Sequence, residues 1–183
     1  EVISNIFNGK IKKWDDAAIK KLNPDATLPS ENITVFYRAD ESGTTDNFTK
    51  YLTAAAPDTW TLGSGDTVNW PAATQGAEKN SGVAALIGQT DGSVGYVDLA
   101  DAIKAELTFA SIKNAAGSFV APSAAATEAA VANADVAEDL TYNPLNAPGA
   151  DSYPITAPTY LLVTRTQPDA ARAATLKTYL RYL

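Results

Sequence analysis

Short runs of β-branched and aromatic residues alternate in this chain with helical patterns, and this alternation constrains the fold most. The best strand pattern is residues 33–37, Ile-Thr-Val-Phe-Tyr, and others are residues 94–97 and 159–164. Apolar residues with helical spacing predict helices over residues 2–7, 15–22, 48–55, 78–88, 99–107, 124–139 and 170–183. We therefore expect an α/β fold with a mixed, mostly parallel sheet flanked by helices, and binding sites at the carboxyl ends of strands.

Two further segments carry structural expectations. Residues 159–164, Thr-Tyr-Leu-Leu-Val-Thr, have the continuous apolar character of a strand that is buried on both faces. Residues 57–80 are rich in Gly, Thr, Asn and Pro, which predicts a long ordered loop. Four aromatic side chains are expected in the core or at a lobe interface instead of forming stacking platforms for a ligand: Trp60, Trp70, Tyr96 and Tyr153.

The composition excludes several classes of function. The 183 residues include no Cys and no His, which removes disulfides, cysteine nucleophiles, the usual zinc ligand sets and histidine bases. We therefore expect that the protein is not an enzyme and that it binds no metal and no cofactor. A formal net charge of −7 argues against nucleic acid or an anionic membrane as the main partner. Every apolar run, residues 161–163 among them, is far shorter than the roughly 20 residues of a membrane-spanning helix, so no transmembrane segment is expected.

Residues 38–45, Arg-Ala-Asp-Glu-Ser-Gly-Thr-Thr, bring together a strand end, a guanidinium, hydroxyls, a glycine and a helix start. The first N–H groups of a helix have no partner within it and favour negative charge, so a helix N-terminus accepts tetrahedral oxyanions. Gly43 would let the backbone approach such an anion, Ser42 and Thr44 would donate to it, and Arg38 would supply a forked cation. Asp40 could brace that guanidinium instead of meeting the anion.

The same segment has a purely structural interpretation. Ser42 would then cap the helix and Arg38 would form a surface ion pair, both of which are common. A hydrolase has less support, because Glu41-Ser42-Gly43 lacks the flanking pattern of a nucleophile elbow and no histidine is present to activate the serine.

Longer stretches resemble the phosphate-binding proteins of bacterial phosphate ABC transporters. The resemblance begins with residues 6–16, Ile-Phe-Asn-Gly-Lys-Ile-Lys-Lys-Trp-Asp-Asp, and includes residues 38–45. The remaining matching segments, in the same order and at the same spacing, are residues 22–24, 67–71, 82–85, 92–97 and 153–156. The similarity thus extends over nearly the whole chain. One departure is residues 74–80, Thr-Gln-Gly-Ala-Glu-Lys-Asn, where the family usually has a Gly-Gly-x-Gly-Asn loop.

The resemblance implies a periplasmic-binding-protein type II fold, in which two lobes close on phosphate by a hinge movement. It assigns phosphate binding to Arg38, Ser42, Gly43 and Thr44, and the orientation of the arginine to Asp40. The expected partners are inorganic phosphate and the membrane permease of the transporter. The expected location is outside the cytoplasmic membrane, either free in the periplasm or tethered as a lipoprotein.

The resemblance also predicts that residues 1–183 form a single α/β lobe. The family's first-lobe phosphate loops, including the Asp that accepts the phosphate proton, precede residues 6–10 and are absent here. We therefore expect the second lobe with parts of the hinge-crossing segments, and poor discrimination of phosphate from sulfate by this chain alone. Two alternatives stay open: a folded scaffold or interaction module that does not bind phosphate by itself, and a binder of another tetrahedral oxyanion such as sulfate.

Overall fold

The computed structural model describes residues 1–182 and contains helices and strands in alternation. The helices are α1 (Val2–Phe7), α2 (Ala17–Leu22), α3 (Gly43–Ala55), α4 (Lys79–Gln89), α5 (Leu99–Lys104), α6 (Ala124–Ala132) and α7 (Ala170–Tyr182). The strands are β1 (Thr34–Arg38), β2 (Gln75–Ala77), β3 (Ser93–Val94), β4 (Ile112–Lys113) and β5 (Phe119–Val120).

The sheet that positions the site has three strands in the order β2-β1-β3. Both neighbours of β1 are parallel to it, with Arg38 opposite Ala77 of β2 and Val35 opposite Val94 of β3. A separate antiparallel pair is formed by β4 and β5. The expected α/β fold with a mostly parallel sheet is therefore confirmed.

Aromatic side chains form much of the core between α1, α3 and the residues that follow β3. The Phe7 and Phe48 ring centroids lie 4.8 Å apart, and the Tyr96 ring stacks on Phe48 at 4.6 Å. Trp60 and Tyr96 are buried, while Trp70 and Tyr153 are partly buried against the same cluster. The prediction that these four aromatic residues are structural is confirmed. This packing holds the start of α3 against the end of β1.

The predicted buried strand over residues 159–164 is wrong. These residues form no strand, and Leu162 is 94% exposed. An extended run needs a neighbouring strand to pair its backbone N–H and C=O groups, and no strand of residues 1–182 lies beside it.

Other element boundaries also differ from the predictions. The helix predicted to run to Asp139 ends at Ala132, where the side chain of Asn133 bonds back to the Ala129 carbonyl. Within the loop predicted over residues 57–80, Gln75–Ala77 forms β2. The last residue of the predicted closing helix, Leu183, lies outside the described residues. Among residues 1–182, no helix has the length and apolar character needed to span a bilayer.

Candidate functional site

Arg38 is the last residue of β1, and its guanidinium is held from two sides. Its Nε and Nη2 donate to the two carboxylate oxygens of Asp40 at 2.8 and 2.7 Å. Its Nη1 donates to Oδ1 of Asn80 at 2.7 Å, and only 10% of its side chain is exposed. The ion pair therefore fixes the guanidinium plane at the end of the strand, as expected for Asp40 as a brace.

Asp40 is an acceptor for more than the arginine. The backbone N–H of Lys79, at the start of α4, also donates to its Oδ1 at 3.0 Å. The hydrogen bonds from Arg38 and then from Lys79 hold the pKa of this carboxyl well below its usual range. Asp40 therefore remains a carboxylate, and its charge balances that of Arg38.

Ser42 caps α3. Its Oγ accepts from the backbone N–H groups of Thr44 and Thr45 at 3.1 and 3.3 Å, and the residue is buried. The structural interpretation of Ser42 as an N-cap is thus confirmed. Its backbone N–H donates to the carbonyl of Asp66 at 3.0 Å, which anchors the turn between β1 and α3 to the following loop.

Gly43 is the first residue of α3 and is exposed. A Cβ added to it would meet no atom within 4 Å, and its φ is not in the left-handed region. Neither packing nor backbone conformation therefore requires glycine here. A glycine that the fold does not require leaves the first turn of a helix open to close approach by a ligand.

Two side chains that the sequence analysis missed complete the arrangement. The amide of Asn80 accepts from Arg38 and donates through Nδ2 to Oδ2 of Asp98 at 2.6 Å. The hydroxyl of Thr44 donates to Oδ1 of Asp98 at 3.2 Å. The five residues predicted at the site, Arg38, Asp40, Ser42, Gly43 and Thr44, therefore lie together with two others. Asn80 lies in residues 74–80, which the sequence shows only as a departure from a family loop, and no pattern indicated Asp98.

Tyr96 joins the two elements that supply the site. Its hydroxyl accepts from the backbone N–H of Arg38 at 3.1 Å and shares a hydrogen bond of 2.7 Å with Oγ1 of Thr45. Burial raises the pKa of this hydroxyl, so it remains protonated at neutral pH. The end of β1 and the first turn of α3 are thus linked through one buried group.

The site opens into a cavity of about 1040 Å³. Arg38, Ser42, Gly43 and Thr44 line one part of it. Apolar side chains line much of the rest, among them Phe7, Ile87, Val94, Leu99, Leu107, Phe109, Ile112 and Ile155. The donors for an anion therefore face a large cavity that is also lined by many apolar side chains.

The side chains where β1 meets α3 are suited to binding an anion. Ser42 uses its Oγ to accept two backbone N–H groups, and no base is bonded to it among the described residues. No cluster of acidic side chains in residues 1–182 is suited to hold a metal ion. The arrangement presents a fixed guanidinium, a helix N-terminus and a hydroxyl, which together suit an oxyanion.

Comparison with known protein families gives a match to the PBP superfamily domain over residues 1–183. The chain belongs to the PBP superfamily. This membership agrees with the α/β fold and with the motifs of the sequence.

The similar proteins carry consistent names. The phosphate-binding protein PstS of Xylella fastidiosa (strain Temecula1 / ATCC 700964) is 42% identical over 180 residues, which cover 96% of this chain and 49% of the relative. PstS of Methanocaldococcus jannaschii is 41% identical, over 89% of this chain and 46% of the relative. The chain spans about half the length of these relatives. The resemblance to phosphate-binding proteins is thus confirmed.

A solved structure gives the same result for the fold. It is a high-affinity periplasmic phosphate-binding protein, PfluDING, bound with phosphate. The two share 27% sequence identity and a TM-score of 0.57, over 75% of this chain and 40% of the other. The matched proteins are named for binding, and none of these names describes catalysis.

Proposed function

We propose that this chain binds inorganic phosphate at the junction of β1 and α3, as part of the substrate-binding component of a phosphate ABC importer. The observation that carries the proposal is the pairing of a fixed Arg38 guanidinium with an open helix N-terminus at Gly43. The names of the relatives, which are phosphate-binding proteins, supply the choice of phosphate among oxyanions.

Enough donors remain at the site for an anion. A guanidinium has five N–H groups, and three of those on Arg38 reach Asp40 and Asn80, which leaves one on Nη1 and one on Nη2. The backbone N–H groups of Thr44 and Thr45 serve Ser42, so Gly43 provides the N–H group of the first turn for phosphate. The hydroxyls of Ser42 and Thr44 add to this set by reorienting their protons.

The organisation of the whole protein follows from the same family. We propose that residues 1–183 form the second of two lobes, with parts of the hinge-crossing segments, and that phosphate is enclosed when the first lobe closes over the cavity. The protein then acts outside the cytoplasmic membrane, in the periplasm or as an anchored lipoprotein, and delivers phosphate to the permease. No catalytic step is part of this function.

The proposal is tested by calorimetric titration of this chain with phosphate at low salt. Arg38→Ala is expected to abolish binding, a loss of at least about tenfold, because it removes the only charged donor proposed for the anion. Asp40→Asn is expected to weaken binding less, since the guanidinium remains and only its bracing is reduced.

The matched control is Arg172→Ala, which removes the same charge from an exposed position on α7. It is expected to leave binding unchanged. Equal and small effects of Arg38→Ala and Asp40→Asn would contradict the assignment of the site. Absence of binding by the unaltered chain would favour a scaffold, and equal affinity for sulfate would favour a general oxyanion site.

A further inference from the structure

The cavity beside the proposed anion site is lined in part by apolar side chains that the hydrophobic core does not use. Some lining residues, such as Phe7 and Ile155, belong to the core cluster or pack against it. Others lie on α4, on α5 or just after α5 and belong to neither group, among them Ile87, Leu99, Leu107 and Phe109. We call these four residues the apolar wall.

The side chains of the apolar wall remain accessible to solvent. Phe109 is 45% exposed, and the other three residues are partly exposed. Apolar surface inside a concave cavity, with a few polar groups beside it, is typical of sites that bury the apolar part of a ligand. The cavity of about 1040 Å³ has room for more than a phosphate ion.

The apolar wall begins beside the proposed anion donors. The hydroxyl of Thr44 donates to Oδ1 of Asp98 at 3.2 Å, and Leu99 is the next residue in the chain. Thr44 and Leu99 line the same cavity. A ligand that contacts the start of α3 can therefore extend along the apolar wall.

The proposed donors all come from one junction, because Arg38 ends β1 while Gly43 and Thr44 begin α3. Donors that lie on one side of a tetrahedral anion reach the oxygens that face that side. The remaining oxygen then faces the cavity, where the described residues leave space for a substituent. A phosphate monoester keeps three free oxygens for the donors and carries its organic group on the fourth.

We propose that this site binds phosphate monoesters with an apolar organic group, with the phosphoryl group where β1 meets α3 and the organic group against the apolar wall. The inference rests on the proposed phosphate site and adds a class of ligand to it. The ester is bound without hydrolysis, because Ser42 uses its Oγ to cap α3 and has no base bonded to it among residues 1–182.

The test compares methyl phosphate with butyl phosphate, which carry the same charge and differ by three methylene groups. Phosphorus NMR measures the affinity of this chain for each ester. Butyl phosphate is expected to bind about tenfold more tightly, as partial burial of three methylene groups predicts. The methyl signals of Ile87, Leu99 and Leu107 are expected to shift more with butyl phosphate than with methyl phosphate.

Phe109→Ala is expected to reduce the preference for butyl phosphate to about threefold and to leave the affinity for methyl phosphate unchanged, because it removes part of the apolar wall and no donor. The matched control is Phe119→Ala. Phe119 is 54% exposed on β5 and does not line this cavity, so this variant is expected to keep the tenfold preference. Arg38→Ala is expected to abolish the binding of both esters.

Equal affinities for the two esters, or an unchanged preference in Phe109→Ala, would overturn the inference and leave the proposed phosphate site intact. Binding of butyl phosphate that survives in Arg38→Ala would also contradict it, because the ester would then not be held at the anion site. Inorganic phosphate is titrated alongside the esters. If the unaltered chain failed to bind it, the proposed function would be wrong as well.

Discussion

At the scale of single residues, the site contains some groups that the fold needs and others that it does not. Ser42 is buried and caps α3, so its presence is explained by the fold alone. Gly43 is exposed and has no atom within 4 Å of an added Cβ. Of these two neighbours, Gly43 therefore gives the clearer test of a binding role.

Gly43→Ala is expected to separate stability from binding. Alanine favours the helix over glycine, so we expect the free energy of unfolding to rise by about 0.5 kcal/mol. The new methyl group would stand where the anion approaches the first turn of α3, so phosphate affinity is expected to fall about tenfold. Urea unfolding and calorimetric titration measure the two effects.

Gly82→Ala is the matched control for this substitution. Gly82 lies within α4, and an added Cβ there would meet the Cβ of Ala77 at 3.5 Å, which is an ordinary contact. It is expected to stabilise the chain similarly and to leave phosphate affinity unchanged. If Gly43→Ala bound phosphate as well as Gly82→Ala does, Gly43 would have no part in the site.

At the scale of elements, the site depends on how β1 meets α3. Tyr96 follows β3, and its hydroxyl bonds both the N–H of Arg38 and the side chain of Thr45. Phe48 of α3 stacks on the same ring at 4.6 Å. Tyr96, two residues after β3, thus links the strand that carries the cation to the helix that carries the N-terminus.

Tyr96→Phe is expected to lower the free energy of unfolding by about 1–2 kcal/mol, because it leaves a backbone N–H and a buried hydroxyl without their partner. Urea unfolding measures the change. Tyr37→Phe is the control, since no hydrogen bond of the Tyr37 hydroxyl is found among residues 1–182 and its ring stacks on Trp70. Equal stabilities of the two variants would mean that the Tyr96 hydroxyl contributes nothing to this junction.

Distance along the chain explains which residues of the site could be predicted from the sequence. β1, the turn after it and α3 are adjacent in the chain, so local patterns were enough to predict Arg38, Asp40 and the residues from Ser42 to Thr44. Asn80 and Asp98 lie 42 and 54 residues from their partners Arg38 and Thr44, and sheet pairing brings them to the site.

The strand predicted over residues 159–164 is wrong for a similar reason, because strand formation depends on residues that are distant in the chain. Its β-branched and apolar residues satisfy the local pattern of a strand, but pairing decides whether a strand forms. In this chain Leu161, Leu162 and Val163 are exposed instead of paired. The predicted end of the helix at Asp139 was wrong for another reason. The helix propensity of alanine does not indicate that the helix ends where the Asn133 side chain bonds to the Ala129 carbonyl.

At the scale of the whole molecule, a net charge of −7 coexists with the proposed anion site. Charges beyond about 8 Å are largely screened at physiological salt, so the local donors at the end of β1 and the start of α3 decide the binding. The cavity of about 1040 Å³ exceeds the volume of a phosphate ion, so the residues described here do not enclose the anion. We therefore expect weak binding by this chain, and tighter binding where the proposed first lobe closes on the anion.

Amide NMR shows at the level of single residues whether phosphate binds where β1 meets α3. Phosphate is titrated into isotopically labelled chain, and the shifts of backbone N–H groups and of the Arg38 Nε–H are followed residue by residue. We expect the largest shifts at Arg38, Gly43 and Thr44, and all of them should vanish in Arg38→Ala. Shifts confined to another part of the chain, or shifts that persist in Arg38→Ala, would contradict phosphate binding at this junction.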